Sequence, residues 1–173
     1  MRLASITASL AALAFAQTAS AGPVAIAPVS FAPSFQATID SDIGADQAEV
    51  LRARVSRAIT DALARRGVVA SADAPVTIVA DVVNAVPNRV PIGRLRTNYL
   101  LDPGRSVQLG GAELHAVLRG SGGATLSEVV YSHYDHDFAD LVGPPAMWTS
   151  AGNTINQLAE RVADAYVAQT AAH

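Results

Sequence analysis

The sequence of 173 residues contains no cysteine and no lysine. Without cysteine the chain cannot form disulfides, use thiol catalysis or bind a metal through thiolates. Without lysine it cannot form a Schiff base or supply the lysine of a phosphate-binding P-loop. Neither a dinucleotide-binding G-x-G-x-x-G pattern nor a G-x-S-x-G nucleophile elbow is present. We therefore predict no cofactor, and the sequence gives no positive indication of an enzyme.

Positive charge is scarce as well. The 12 basic residues are all arginines and are outnumbered by 15 acidic residues. Proteins that bind nucleic acid mainly through phosphates carry clustered positive charge over the binding face. The acidic balance therefore argues against nucleic acid as the principal partner.

The N-terminus has the pattern of a secretory signal peptide. Met1-Arg2 supplies a positive start, Leu3–Phe15 is apolar, and Ala19-Ser20-Ala21 is a small-residue cleavage site. The apolar run is too short to span a bilayer, which needs roughly 20 residues. We predict that residues 1–21 are removed and that residues 22–173 form a single periplasmic or secreted domain without a transmembrane segment.

The first half of the mature chain predicts a strand, a helix and a second strand. Residues 24–31 are β-branched and apolar but contain proline, which favours an edge or bulged strand that residues 35–39 extend. Residues 46–66 repeat apolar side chains at helical spacing and stop before Gly67. Residues 76–86 are almost continuously apolar, which predicts a central strand covered on much of both faces.

The second half predicts a hairpin and a long helix. Residues 109–119 and 124–134 flank the glycine-rich turn at residues 120–123, and residues 149–170 carry an apolar stripe. Two amphipathic helices need an apolar sheet face to cover. The expected fold is therefore α+β: a two-layer sandwich of about four mostly antiparallel strands, with both helices on one face.

The long loop predicted at residues 87–108 is the first candidate site. It lacks clear periodicity and contains a single acid, Asp102, and an apolar patch at residues 99–101. Long irregular loops in compact domains are often functional. Arginine beside aromatic and aliphatic groups favours contact with a protein partner or an anionic surface. The predicted contact residues are Arg89, Arg94, Arg96, Tyr99 and Arg105. The simpler interpretation is that the loop folds over the sheet and its arginines are only solvated.

A cluster of histidine and aspartate is the alternative site, for a small ligand or a metal ion. Its members are His133, Asp135, His136 and Asp137. A two-residue hairpin loop sets His133 opposite Gly110, and a three-residue loop sets it opposite Gly111. In either register His115 lies roughly 13–16 Å away along the ladder, at about 3.3 Å per residue, and cannot share one ion with it.

The stretches GAELHAVLRGSGGATLSEVVYSHYD and MWTSAGNTINQLAERVADAY resemble an uncharacterised family of small Gram-negative envelope lipoproteins. The similar features are an acidic residue within a strand (Glu113), the glycine-centred hairpin and a tryptophan before the last helix (Trp148). This resemblance implies an envelope location and the α+β fold, and it supplies no catalytic residue. Gly22 follows the cleavage site here, where a lipoprotein has cysteine.

Overall fold

The computed structural model describes residues 22–98, 100–102, 105–141 and 144–171. The predicted signal peptide, residues 1–21, and the candidate contact residue Tyr99 lie outside these residues. The strands are β1 (Ala25–Ile26), β2 (Ser30–Phe31), β3 (Val76–Val86), β4 (Gly111–Gly120) and β5 (Thr125–Tyr134). The helices are α1 (Pro33–Thr38), α2 (Ala45–Arg65), α3 (Ile92–Thr97) and α4 (Thr149–Ala171). A π-helical turn (Ile39–Ile43) joins α1 to α2, and a short 3-10 turn (Phe138–Asp140) follows β5.

The five strands form one mixed sheet with β3 in its interior. Strands β1 and β2 both run parallel to β3 along the same edge, whereas β4 and β5 continue the sheet on the other side as antiparallel neighbours. Pro28 lies between β1 and β2, so the predicted first strand is two short pieces on an edge. The sheet thus has one strand more than expected, and its first edge is parallel.

Residues 35–39 do not extend that strand, as the sequence interpretation had it. Pro33 occupies the first turn of α1, where its fixed φ and missing N–H are tolerated. Phe35, Ile39 and Ile43 are all buried. Their spacing of four residues is a helical period, which is the signal that the strand prediction overlooked.

The two long helices agree with the prediction to within one residue at each end. Gly67, with φ of 73°, follows the end of α2 in a conformation that favours glycine. Helices α2 and α4 pack against each other, and α4 also packs on β4 and β5. Their buried stripes belong to the same hydrophobic core. This core includes Leu51, Val55, Ile59, Leu63, Ile155, Leu158, Val162 and Tyr166.

One face of the sheet is buried along β3 and β4, whereas the β5 residues on that face are half-buried or exposed. Along β4 every second residue is buried, namely Ala112, Leu114, Ala116 and Leu118. The residues between them are partly or fully exposed. Strand β3 follows the same alternation, with Ile78, Ala80 and Val82 buried. It is therefore an interior strand, as predicted, but the described residues cover only one of its faces completely.

The hairpin register differs from both predicted alternatives. Near the turn the pairing matches a three-residue loop, because the amide of Gly120 donates to the carbonyl of Ala124. A bulge between Leu118 and Arg119 then adds one residue to β5 and shifts the rest of the ladder. As a result His133 lies opposite Ala112.

Candidate functional site

The described residues of segment 87–108 have more regular structure than the predicted loop. The segment contains α3, and its two ends meet because Arg89 bridges to Val107 and the amide of Gln108 donates to the carbonyl of Asn88, 3.0 Å away. The side-chain amide of Gln108 also donates to the carbonyl of Pro87 over 2.7 Å. The two ends of the segment are therefore bonded to each other where it leaves and rejoins the sheet, and we call this bonded part its base.

Two of its predicted contact residues take part in the fold. Arg89 is half-buried, and its Nε donates to the carbonyl of Pro145 over 2.9 Å. Arg94 pairs with Asp42 of the π-helical turn, with 3.2 Å between Nε and Oδ2. Both arginines therefore hold segment 87–108 against the rest of the domain.

The segment also has exposed side chains, among them Arg96, Leu100 and Arg105. Arg96 and Arg105 are exposed, and in the described part of the chain neither forms an ion pair. Leu100 has 78% of its surface exposed, the largest value for any large apolar residue described. Leu101 is half-buried, as the simpler interpretation expects for this patch.

The base of the segment is fixed by a group that we call the polar junction: Asn88, Asp135 and Ser150. Asn88 is fully buried and Ser150 is 2% exposed. The Asn88 side-chain amide donates to Ser150 Oγ over 2.9 Å, and its Oδ1 accepts from the Ser150 amide over 2.9 Å. The junction thus ties the start of segment 87–108 to the first turn of α4.

Asp135 completes the junction from the end of β5. Its Oδ2 accepts the hydroxyl of Ser150 and, over 3.2 Å, the amide of Gly110. The Asp135 amide in turn donates to the carbonyl of Gly110 over 2.8 Å. A side chain at position 110 has no room, because a Cβ there would lie 2.7–2.8 Å from the Asn88 amide group.

The chemistry available to the polar junction is limited by this bonding. The Ser150 hydroxyl is buried and is donated to Asp135, and no histidine lies between them to take a proton. The three residues satisfy one another and the backbone, as buried polar groups must. The junction is therefore a structural element rather than a nucleophile with its base.

The histidine and aspartate cluster does not converge. Asp135 belongs to the polar junction, whereas His133, His136 and Asp137 are exposed. Within the residues that the structure describes, no group of three or more such side chains is placed to hold a metal ion. The geometry gives the metal alternative no support, and it stays a prediction.

His115 and Glu128 meet on the incompletely covered face of the sheet. Glu128 lies opposite Val117, so the two side chains are diagonal neighbours, with 2.8 Å between Nε2 of His115 and Oε1 of Glu128. The contact is close, but it is not aligned as a hydrogen bond. A two-residue hairpin loop would have set Glu128 opposite His115 and a three-residue loop opposite Ala116, two residues and one residue away from the observed Val117.

The sequence analysis missed Asn88 and Ser150. Neither carried a signal, because an asparagine after proline is typical of a turn and a serine at a helix start is typical of a cap. Trp148, which precedes α4, is 3% exposed, and its Nε1 donates to Oε1 of Gln47 on α2 over 3.0 Å. No helix among the described residues is long and apolar enough to cross a membrane.

Neither a family model nor a curated protein matches the chain. Among solved structures, a PelC dodecamer from Paraburkholderia phytofirmans is 9% identical, with 80% of this chain and 83% of the other covered and a TM-score of 0.47. A Xanthomonas campestris protein assigned to family DUF330 is 13% identical, with 85% and 84% covered and a TM-score of 0.46. A minor lipoprotein from Acinetobacter baumannii is 10% identical, with 86% and 94% covered and a TM-score of 0.39.

These neighbours agree with the predicted resemblance to uncharacterised Gram-negative envelope proteins at the level of loose similarity. All three TM-scores are below 0.5. At this level of similarity the neighbouring structures assign no ligand, partner or activity to this chain.

Proposed function

We propose that residues 22–173 form an exported, non-enzymatic envelope domain that binds an acidic surface of another protein through segment 87–108. The observation that carries this proposal is the exposure of Leu100 together with Arg96 and Arg105 on a segment whose base is fixed. An apolar side chain with nearby unpaired arginines is the composition of a protein interface rather than of an ordinary acidic surface.

The fixed base supports binding because a pre-ordered segment loses less conformational entropy on association than a free loop. The polar junction, Arg89 and Arg94 bond the segment to the rest of the domain at three points. Exposed arginines on a protein with an acidic balance also give a local positive field, which steers an acidic partner.

The location and architecture in this proposal come from the sequence. Residues 1–21 have the pattern of a cleaved signal peptide. Because the chain has no cysteine, its folding does not depend on whether the compartment is oxidising or reducing. We infer that α2 and α4 lie together on the buried face of the sheet as one of two layers.

The test is a capture experiment with residues 22–173 immobilised and exposed to envelope extract. The loop variant carries Arg96→Ala, Leu100→Ala and Arg105→Ala. A matched control carries Val50→Ala, Arg57→Ala and Arg119→Ala, which remove one exposed aliphatic side chain and two exposed arginines elsewhere.

The expected result is a protein that the wild type and the control capture equally and that the loop variant binds about tenfold more weakly, a loss of about 1.4 kcal/mol. Binding should also weaken as salt rises. Equal capture by all three proteins would refute the proposal. Salt-sensitive binding to anionic lipid vesicles with no captured protein would also refute it, in favour of a membrane surface.

A further inference from the structure

Strand β5 forms one edge of the sheet, and no described strand pairs with its outer side. It is ten residues long and contains no proline, lysine or arginine. Such an edge presents unpaired N–H and C=O groups, which natural proteins usually protect with prolines, charged side chains, bulges or short strands. The bulge of β5 lies at Leu126, outside the stretch from Glu128 to Ser132. The opposite edge has this protection, since it consists of two-residue strands separated by Pro28.

The outward backbone groups of β5 can be assigned from its ladder with β4. The amide of Asp135 donates to Gly110, which makes these two residues a hydrogen-bonded pair in the same register. Because bonded and non-bonded pairs alternate in an antiparallel ladder, the N–H and C=O groups of Glu128, Val130 and Ser132 point away from β4.

The side chains along this edge are self-complementary. Val130 is 58% exposed and lies opposite His115 on the incompletely covered face. Glu128 and Ser132 lie two residues to either side of it on the same face. If a second β5 strand pairs antiparallel with the first about Val130, serine therefore lies opposite glutamate and valine lies opposite valine.

We propose that β5 pairs antiparallel with β5 of a second copy of this chain, around a two-fold axis at Val130. Val130 then faces the partner's Val130, Glu128 faces the partner's Ser132, and Val129 faces the partner's Tyr131. No like charges lie opposite each other, and β-branched and aromatic pairs of this kind stabilise sheets. The two sheets become one continuous sheet, and both exposed edges disappear.

The two adjacent registers are worse. An axis at Val129 sets Glu128 opposite the partner's Val130. An axis at Tyr131 sets Val130 opposite the partner's Ser132 and Glu128 opposite the partner's Tyr134. Either arrangement leaves the exposed valine against a polar side chain, so the register centred on Val130 is favoured.

The first test measures the molar mass of residues 22–173 by light scattering at several protein concentrations. The wild type should have twice the mass of one chain. Val130→Pro removes only an outward N–H and should yield a folded monomer, because proline is tolerated on the open side of an edge strand. Val130→Lys places two lysines face to face and should give the same result. Val69→Lys, a change at another exposed valine, should leave the dimer intact.

Circular dichroism identifies any variant that fails to fold, and the wild-type mass decides the question independently of the variants. A monomeric wild type at every concentration would overturn the proposal. A dimer that persists in folded Val130→Pro and Val130→Lys proteins would overturn it equally.

The second test fixes the register and exploits the absence of cysteine from the chain. Val130→Cys places two sulfurs across the axis, where the Cα separation of about 5.5 Å suits a disulfide. Ser132→Cys places them four residues apart along the ladder, roughly 13 Å at about 3.4 Å per residue. Oxidation should cross-link the first variant and not the second. The opposite outcome, or equal cross-linking of both, would overturn the register.

Discussion

The two ends of α4 make polar contacts in very different surroundings. At its start, Ser150 belongs to the buried polar junction with Asn88 and Asp135. In its second half, Glu160 and Asp164 pair near the surface with Arg65, the last residue of α2, and with Arg66, which follows it. Both groups join distant parts of the chain, yet we expect them to contribute very unequally to stability.

The reason is solvation. When one member of a buried group is removed, its partners lose hydrogen bonds that water cannot replace. When one member of an exposed pair is removed, water solvates the other, so most surface ion pairs contribute little. The exposed pairs do alter titration: hydrogen bonds from Arg65 and then Arg66 lower the pKa of Glu160. For Arg66, burial lowers the pKa, but hydrogen bonds to Asp164 and Glu160 outweigh it and raise the pKa overall.

The largest expected effect follows from Asn88→Ala. The substitution removes the oxygen that accepts from the amide of Ser150, and it removes the N–H that donates to Ser150 Oγ. We expect a loss of about 2–3 kcal/mol in the free energy of unfolding, measured by urea denaturation. A change below about 0.5 kcal/mol would show that water enters the junction and would remove the contrast with the exposed pairs.

A smaller loss is expected for Gly110→Ala, which tests the packing of the junction rather than its bonding. The new methyl group would lie within 2.8 Å of the Asn88 amide group, so either the side chain or the strand must shift. Overpacking of this kind costs about 1–3 kcal/mol. Gly122→Ala in the hairpin turn is the control, because its added Cβ would meet nothing within 4 Å. Equal melting temperatures for the two variants would contradict the assignment.

The smallest effect is expected at the exposed pairs and depends on pH. Because the pKa of Glu160 is lowered in the folded state, its contribution is present above the unfolded pKa and is lost as pH falls through the folded value. The stability of the wild type should therefore decrease toward acid slightly more than that of an Arg65→Ala, Arg66→Ala double variant. Parallel stability curves for the two proteins between neutral and acidic pH would show that these pairs contribute nothing.

Much of the fold could be predicted from the sequence because the relevant signals are local. The stripes of α2 and α4, the interior strand β3 and the glycine turn all depend on residues a few positions apart. The helix at residues 33–38 was missed because residues 35–39, which include the β-branched Thr38 and Ile39, were interpreted as an extension of the preceding strand. Its buried spacing of four residues was the better guide.

The candidate site was less predictable, and Asp135 shows why. In the sequence it belonged with its histidine neighbours, whereas in the structure it bonds to Ser150 and to the amide of Gly110. Arg89 and Arg94 were grouped with Arg96 by composition alone. Only the positions of Pro145 and Asp42 distinguish Arg89 and Arg94, which bond to other parts of the domain, from Arg96, which forms no ion pair among the described residues.

By itself the sequence determined the two amphipathic helices, the hairpin and the thiol-free core, because periodicity and composition act between near neighbours. The tertiary structure alone decided that β1 and β2 run parallel to β3, that a bulge shifts the hairpin register, and that Asn88 meets Ser150 across 62 positions of chain. These outcomes depend on which distant groups pack together, and a linear pattern does not record that.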